Sequence, residues 1–368
     1  VTARKTLFDA LLGGASAAMP ENDAIVSYGF HDINAKISWK PDARNSLSLN
    51  LYQGDDYLNF WTKPWKMKND ERSHLNQQWG NWLVSGRWNR VISSKLFSEN
   101  ILSFSRYRNK SGMEYSYREN NTNTMNEALN MASVNDFSLR SAWKYALHKN
   151  WNMEFGAHAG YLLYRPDYNY LSTSATPQIG NTYRSLESAL FIDNKIRLSE
   201  KLTFQPSLRF SAFSNNGAFF PELEPRVNLS YNINGHHSIN LNYMRVSQSS
   251  HLIFAQTELL KREVWLPATQ VMRPSISNQA SLSWNGSFDN GKFSAESSLY
   301  YKRMEHLVSL KEGYENMVGI TGIDNKVETD GLGTAYGAEF MLRKNTGKWT
   351  GSLSYAWSYA DRVFANIN

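Results

Sequence analysis

The sequence predicts an all-β fold, a transmembrane antiparallel β-barrel, of which the chain supplies a partial wall of about 14–15 strands. Three observations carry the prediction. Apolar and polar residues alternate with period two over stretches longer than an ordinary strand. The connections between these stretches alternate between short and long, as periplasmic turns and extracellular loops do in a membrane barrel. Tryptophan and tyrosine collect beside the short turns, where an aromatic girdle would meet the membrane interface.

Residues 331–361 state the pattern most plainly. Tyr336, Ala338, Phe340 and Leu342 alternate with Ala335, Gly337, Glu339 and Arg343. After the turn at Asn345-Thr346-Gly347-Lys348, Trp349, Gly351, Leu353, Tyr355 and Trp357 alternate with Thr350, Ser352, Ser354 and Ser358. From the other end, residues 1–8 read as the end of a strand, and Gly13-Gly14 within a small-residue run reads as a loop reaching about residue 24. Ile33, Ala35, Ile37 and Trp39 mark the next strand, and Leu47, Leu49 and Leu51 the one after the 41–45 turn. Residues 58–77 read as a long polar connection. Strands at 78–91 and 96–108 follow, the first with an ambiguous phase because Trp79 and Leu83 compete with Trp82, Val84 and Trp88.

A long Asn-rich connection is expected over 109–133. Strands 134–147 and 151–164 then present Phe137, Leu139 and Trp143, and Trp151, Phe155 and Tyr161. Residues 165–182 read as a long connection before strands 183–198 and 202–213. Pro206 in the latter suggests a bulge or irregularity, since it lacks a ladder donor. A long connection at 214–221 precedes Val227, Leu229, Tyr231 and Ile233; Asn234-Gly235 turns the chain into Ile239, Leu241 and Tyr243. A long connection over 251–274, strands through Leu282 and Leu299, and an excursion around 308–330 complete the series. Short connections thus fall near 41, 93, 149, 200, 235, 288 and 346, and long ones near 15, 67, 121, 174, 217, 262 and 319. Trp39, Trp88, Trp151, Tyr231, Trp284 and Trp349 stand at the short-turn ends and form the expected inner girdle.

Composition agrees. No run of 18 apolar residues exists, and the negative mean hydropathy is compatible with a barrel whose apolar residues occupy alternate positions. Aromatics make up 14% of the 368 residues, a load suited to interfacial girdles. Cysteine is absent, which excludes disulfides and thiolate chemistry within the chain. The formal charge of +6 is scattered without a basic block, which argues against nucleic acid as a partner. A soluble β-sandwich or propeller would have shorter strands, and a propeller a recurring blade-length sequence repeat.

No catalytic constellation appears: there is no HExxH or G-x-S-x-G, and Gly347-Lys348 lacks the rest of a phosphate-binding loop. Neither a metal site nor a cofactor is expected. His236-His237 sit at a short turn without a third ligand, and Asp55-Asp56 point to opposite faces of a strand. Glu154, Arg197, Arg209, Arg226, Glu296, Glu339 and Arg343 stand in the polar phase and are expected to face the lumen. There they line a hydrated pore or contact a plug. Trp61, Trp65, Tyr164, Tyr168 and Tyr170 fall on long excursions, where aromatic rings stack on a ligand or pack loops together.

Several short segments carry a family resemblance. They are Thr2-Ala3-Arg4-Lys5-Thr6, Phe30-His31-Asp32-Ile33-Asn34-Ala35-Lys36, Pro225-Arg226-Val227-Asn228-Leu229-Ser230-Tyr231 and Trp265-Leu266-Pro267-Ala268-Thr269 with Arg273-Pro274. To these add Tyr300-Tyr301-Lys302-Arg303-Met304 and the closing pattern Ala335-Tyr336-Gly337, Glu339, Arg343-Lys344, Gly347-Lys348, Gly351, Ser354-Tyr355, Ser358, Arg362, Phe364 and Ile367-Asn368. Together they resemble the barrel of Bacteroidota-type TonB-dependent outer-membrane receptors, in the branch with a carboxypeptidase-regulatory-like domain and a plug. The resemblance implies a barrel of about 22 strands, truncated here at both ends, with the plug outside residues 1–368. It implies active uptake of a large nutrient and no enzymatic activity. The implied partners are outer-membrane lipids, the protein's own plug, TonB with the ExbB-ExbD energising complex, and a surface lipoprotein. The competing reading is a non-transporting outer-membrane barrel serving as an adhesin or a component of a surface complex.

Overall fold

Long amphipathic strands must place one whole face against an apolar medium and the other against water, and hairpin connections let them do so side by side. The computed structural model describes residues 1–19, 24–62, 71–119, 122–171, 178–256, 261–314 and 322–366. The chain opens with β1 (Thr2–Lys5), α1 (Phe8–Ala18), β2 (Ala24–Trp39), β3 (Asn45–Thr62) and β4 (Arg72–Val91). It continues through β5 (Leu96–Glu119), β6 (Thr122–His148), β7 (Trp151–Leu171), the two-residue β8 (Gln178–Ile179) and β9 (Tyr183–Arg197). Next come β10 (Leu202–Asn215), β11 (Ala218–Asn234), β12 (His237–Gln248), β13 (Ser250–Gln256) and β14 (Lys261–Pro267). The chain ends with β15 (Ser275–Phe288), β16 (Phe293–Leu310), β17 (Val327–Lys344) and β18 (Gly351–Val363).

Among the described residues, sixteen strands form one antiparallel sheet in the order β1-β2-β3-β4-β5-β6-β7-β9-β10-β11-β12-β15-β16-β17-β18, with β8 beside β7. β1 and β18 lie at its two edges and do not pair with each other, so the sheet is a barrel wall that is not closed. β13 and β14 form a separate two-stranded sheet.

The register sorts every side chain onto one of two faces. Trp39 pairs with Leu47 and Leu47 with Trp88; two residues along, Ile37, Leu49 and Gly86 share the same face. This resolves the ambiguous phase of β4: Trp82, Val84 and Trp88 stand opposite Gln53, Leu51 and Leu47 on the apolar face, and Leu83 pairs with Tyr52 on the other. The apolar face continues across the wall through Phe137, Tyr161 and Leu186, then Leu229, Leu241 and Leu282. It reaches Tyr301, Tyr336 and Tyr359 at the last strands. Near the short turns Trp88 donates to Asn45 Oδ1 at 3.1 Å and Trp151 to Asn194 Oδ1 at 2.9 Å. His237 stacks on Trp284 at 5.8 Å, so this turn histidine joins the aromatic girdle.

Several expected loops are corrected. The Gly13-Gly14 segment is α1, an eleven-residue helix. Its glycines lower local propensity, but contacts outweigh them. Ser16 Oγ donates to Val26 O and accepts from Val26 N, and the Tyr57 hydroxyl donates to Asp9 at 2.6 Å. Residues 109–133 are not an irregular connection: β5 and β6 pair continuously from Leu96↔Tyr145 to Glu119↔Thr122. The connection expected at 214–221 is a two-residue turn, Asn216-Gly217, with φ of 44° and 86° between Asn215 and Ala218. Two successive positive φ values suit Asn-Gly and match the twist of a tight hairpin. β3 extends to Thr62 and β4 starts at Arg72, leaving 63–70 outside the described residues. Likewise β7 reaches Leu171, β16 reaches Leu310 and β17 starts at Val327, so strands run into the other expected excursions. Pro206 pairs with Val227 in unbroken register, whereas the β9 ladder skips Gln205 and Pro206 and resumes without a shift.

Candidate functional site

The face opposite the apolar one gathers two charge networks. In the first, Glu224 is the hub. Arg226 Nη2 lies 3.3 Å and Arg209 Nε 3.8 Å from its carboxylate, while Ser211 Oγ donates to it at 2.7 Å. Arg209 also reaches Glu187 at 3.4 Å. Glu224 is buried, with 5% side-chain exposure against 25% for Arg209 and 45% for Arg226. In the second network Arg140 bridges Glu154 at 3.2 Å and Glu99 at 3.5 Å, Arg87 reaches Glu99 at 3.6 Å, and Lys144 reaches Glu154 at 3.7 Å. The Arg140 guanidinium also lies 5.1 Å from the centroid of the Phe191 ring.

The structure thus brings together three of the residues expected from sequence: Arg209 and Arg226 through Glu224, and Glu154 through Arg140. Glu339 accepts from Ser298 Oγ at 3.4 Å and lines a groove of about 450 Å³ with Glu296, while Arg343 stands further along β17 between Ser294 and Ser352. Arg197 sits opposite Thr203. Among the described residues neither Arg197 nor Arg343 has a carboxylate partner. Glu224 escaped the sequence reading because Pro221 and Pro225 flank it and suggest a loop; both pair within β11, opposite Ala212 and Leu208. Arg87, Glu99, Arg140 and Glu187 are legible in phase once the neighbouring apolar positions are fixed.

A second feature lies at the long-loop end. The β13–β14 hairpin pairs from Ser250↔Pro267 to Gln256↔Lys261 and packs against β5, β6 and β7 on one side and β16 on the other. β7 and β16 are six steps apart in the sheet, about 29 Å if it were flat. A short hairpin touching both lies inside the curl of the wall. There the Tyr107 hydroxyl donates to Glu263 at 3.1 Å, Tyr164 and Ser250 share a 2.6 Å hydroxyl contact, and Asn215 Nδ2 donates to Ala268 O at 3.1 Å. Val264, Leu266 and Met272 pack with Tyr164, Tyr183, Ile323 and Val327 into the main buried apolar cluster. The long connection expected over 251–274 is thus corrected: it holds this hairpin, in which Trp265 is half-buried while its neighbours Val264 and Leu266 carry the packing.

His251 is enclosed in that cluster, and burial pushes its imidazole from the ordinary 6.5 down to about 4. Its Nε2 has no hydrogen-bond partner among the described residues. Of the aromatic candidates, Tyr164 is 1% exposed, its ring and hydroxyl occupied by the hairpin. Trp61 stacks on His74 at 5.0 Å. Tyr168 and Tyr170 pair through their backbone with Met131 and Leu129, and their side chains lie outside the described residues, as does Trp65. Asp55 and Asp56 diverge: Asp55 takes Arg108 at 2.9 Å, and Asp56 accepts from Tyr28 at 3.0 Å.

A family profile described as TonB dependent receptor-like, beta-barrel matches residues 18–368. Among solved structures, the outer membrane transporter YddB from Escherichia coli aligns with a TM-score of 0.65 and 9% identity, over 92% of this chain and 49% of that one. The RagAB peptide importer in its closed-closed state aligns at 0.60 with 10% identity, over 94% and 49%. The copper transporter OprC aligns at 0.60 with 12% identity, over 91% and 53%. The chain spans about half the length of these structures, and at such identities they report the fold alone. No curated protein matches the sequence.

Proposed function

Because the chain belongs to the TonB-dependent receptor-like β-barrel family of the Gram-negative outer membrane, we propose that it is the wall of a receptor for TonB-energised uptake of a large nutrient. In this reading Glu154, Arg197, Arg209, Arg226, Glu296, Glu339 and Arg343 face the lumen and contact the protein's own plug, carried outside the 368 residues. TonB with ExbB-ExbD supplies the work, and a surface lipoprotein covers the outer loops. The segment resemblances favour the Bacteroidota branch with a carboxypeptidase-regulatory-like domain. Trp61, Trp65, Tyr168 and Tyr170 remain the outer aromatic ligand contacts; Tyr164 supports them from within the packed cluster.

The observation that carries the proposal is the β13–β14 hairpin folded inside the curl at the outer end. A passive pore is served by an open lumen; a receptor that admits cargo only on energisation is served by a closed one. The test uses the full protein in planar bilayers, with a photocrosslinking residue at position 209 or 339. Low resting conductance and an intramolecular crosslink to the plug are expected. A large, steady conductance with no such crosslink would overturn the proposal in favour of a passive or structural barrel.

A further inference from the structure

The apolar face ends, at the long-loop side, in a set of arginines without protein partners. Arg106, Asn135, Leu163 and Arg184 form one continuous rung across β5, β6, β7 and β9, and Arg108, Ser133 and Arg165 belong to the next. All stand on the same face as Phe104, Tyr161 and Leu186, which lie one or two rungs nearer the short turns. Arg106, Arg165 and Arg184 are exposed, and among the described residues none of their side chains makes a hydrogen bond or ion pair. Arg108 differs, since Asp55 neutralises it at 2.9 Å. Arg106 and Arg184 are three strand spacings apart, about 14 Å, with Arg165 between them.

Directly below the arginines the same face is hollowed. Ala159, Ser188 and Ala212 occupy one rung, and their small side chains form the floor of a groove of about 430 Å³. Phe137, Tyr161 and Leu186 wall it on the side toward the arginines. Arg184 follows two residues beyond Leu186 on the same strand.

We infer that this face is a binding site for an acylated, multiply phosphorylated glycolipid of the outer leaflet, its phosphates on Arg106, Arg165 and Arg184 and an acyl chain in the Ala159–Ser188–Ala212 groove. Charge complementarity selects the headgroup, because three unpaired guanidiniums at a membrane interface seek anionic oxygens. Continuity selects a lipid over a soluble anion, because the groove opens on the lipid-facing surface immediately below. A protein partner would have to displace lipid from an apolar groove with no matching acid in reach. The inference rests on the outer-membrane orientation of the proposed function, with the long loops outward.

The test measures lipid retention by the full protein in detergent, using native mass spectrometry with a bisphosphorylated, acylated glucosamine disaccharide. Its dephosphorylated counterpart and inorganic phosphate are the other arms. Replacing all three residues, R106Q, R165Q and R184Q, is expected to weaken binding of the bisphosphorylated lipid roughly a hundredfold. S188F, which fills the groove, weakens it with the arginines intact, and neither change alters the thermal unfolding midpoint. Unchanged retention in the triple variant, equal binding of the dephosphorylated lipid, or full competition by inorganic phosphate would each overturn the site. Cell fractionation separates the two readings: a protein absent from the outer membrane defeats the orientation, whereas one present there with indifferent binding defeats only the lipid site.

Discussion

Glu224 holds two arginines and a serine hydroxyl in a position with almost no solvent access. Removing its charge leaves Arg209 and Arg226 facing each other across a neutral amide. Breaking a fully buried pair costs about 3–5 kcal/mol and an exposed one about 0.2–1 kcal/mol; with the carboxylate buried and both arginines in contact with water, about 1–2 kcal/mol is expected. Glu224→Gln is therefore expected to lower stability by that amount in urea unfolding followed by tryptophan fluorescence, with Arg209→Gln partly restoring it. Gly156 is a different kind of constraint. A Cβ there would meet the Ser141 carbonyl oxygen at 2.2 Å and the Ala142 Cα at 3.0 Å, both backbone atoms. Gly156→Ala should part β6 from β7 locally, read as faster amide exchange at Ser141 and Ala142. Protection equal to the parent's would contradict the close approach.

At the scale of elements, the hairpin β13–β14 carries the clearest pH dependence. His251 takes a proton at about 4 when the hairpin is docked and near 6.5 when it is released. Between those values the released hairpin holds more protons, so docking weakens as the pH falls from about 6.5 toward 4, by up to roughly 3 kcal/mol. Above pH 7 the effect vanishes. Hydrogen exchange over residues 250–268, corrected for its intrinsic pH dependence, should show faster opening at pH 5 than at pH 7.5, and His251→Leu should abolish the difference. Elements of this kind are where sequence reading falls short. Period two identified the faces of β3, β7 and β17 because burial on one side imposes it. It was silent on α1, held by Ser16 and Asp9 through residues of β2 and β3, and on β13–β14, held by Tyr107, Tyr164 and Asn215. Those contacts are long-range, and no local pattern encodes them. The Asn216-Gly217 turn was legible in its dipeptide, yet the aromatic and proline residues after it suggested a loop.

For the whole molecule, the alternation of connections was the right guide to a barrel wall with one incorrect premise. The outer ends are longer mainly because strands such as β5 and β6, at 24 and 27 residues, continue past the apolar band as paired ribbon. By register the polar candidates stand on the face opposite the apolar one, but their partners do not follow from periodicity. Arg209 and Glu187 are 22 positions apart, and only the register brings them together. Unpaired cations at one rim of the apolar face and aromatic rings at the other give the wall two chemically distinct ends, as a membrane with unlike leaflets requires.

One face of this wall meets lipid and the other meets water. The absence of cysteine from all 368 residues gives this stretch a clean background for single spin labels. Labels placed one at a time at positions 137 to 142 in the full protein, reconstituted in bilayers, report collisions with oxygen, which concentrates in lipid, and with a water-soluble nickel chelate. A period of two is expected, with oxygen contact at 137, 139 and 141 and chelate contact at 138, 140 and 142. Accessibility without that alternation, or with the opposite phase, would contradict it.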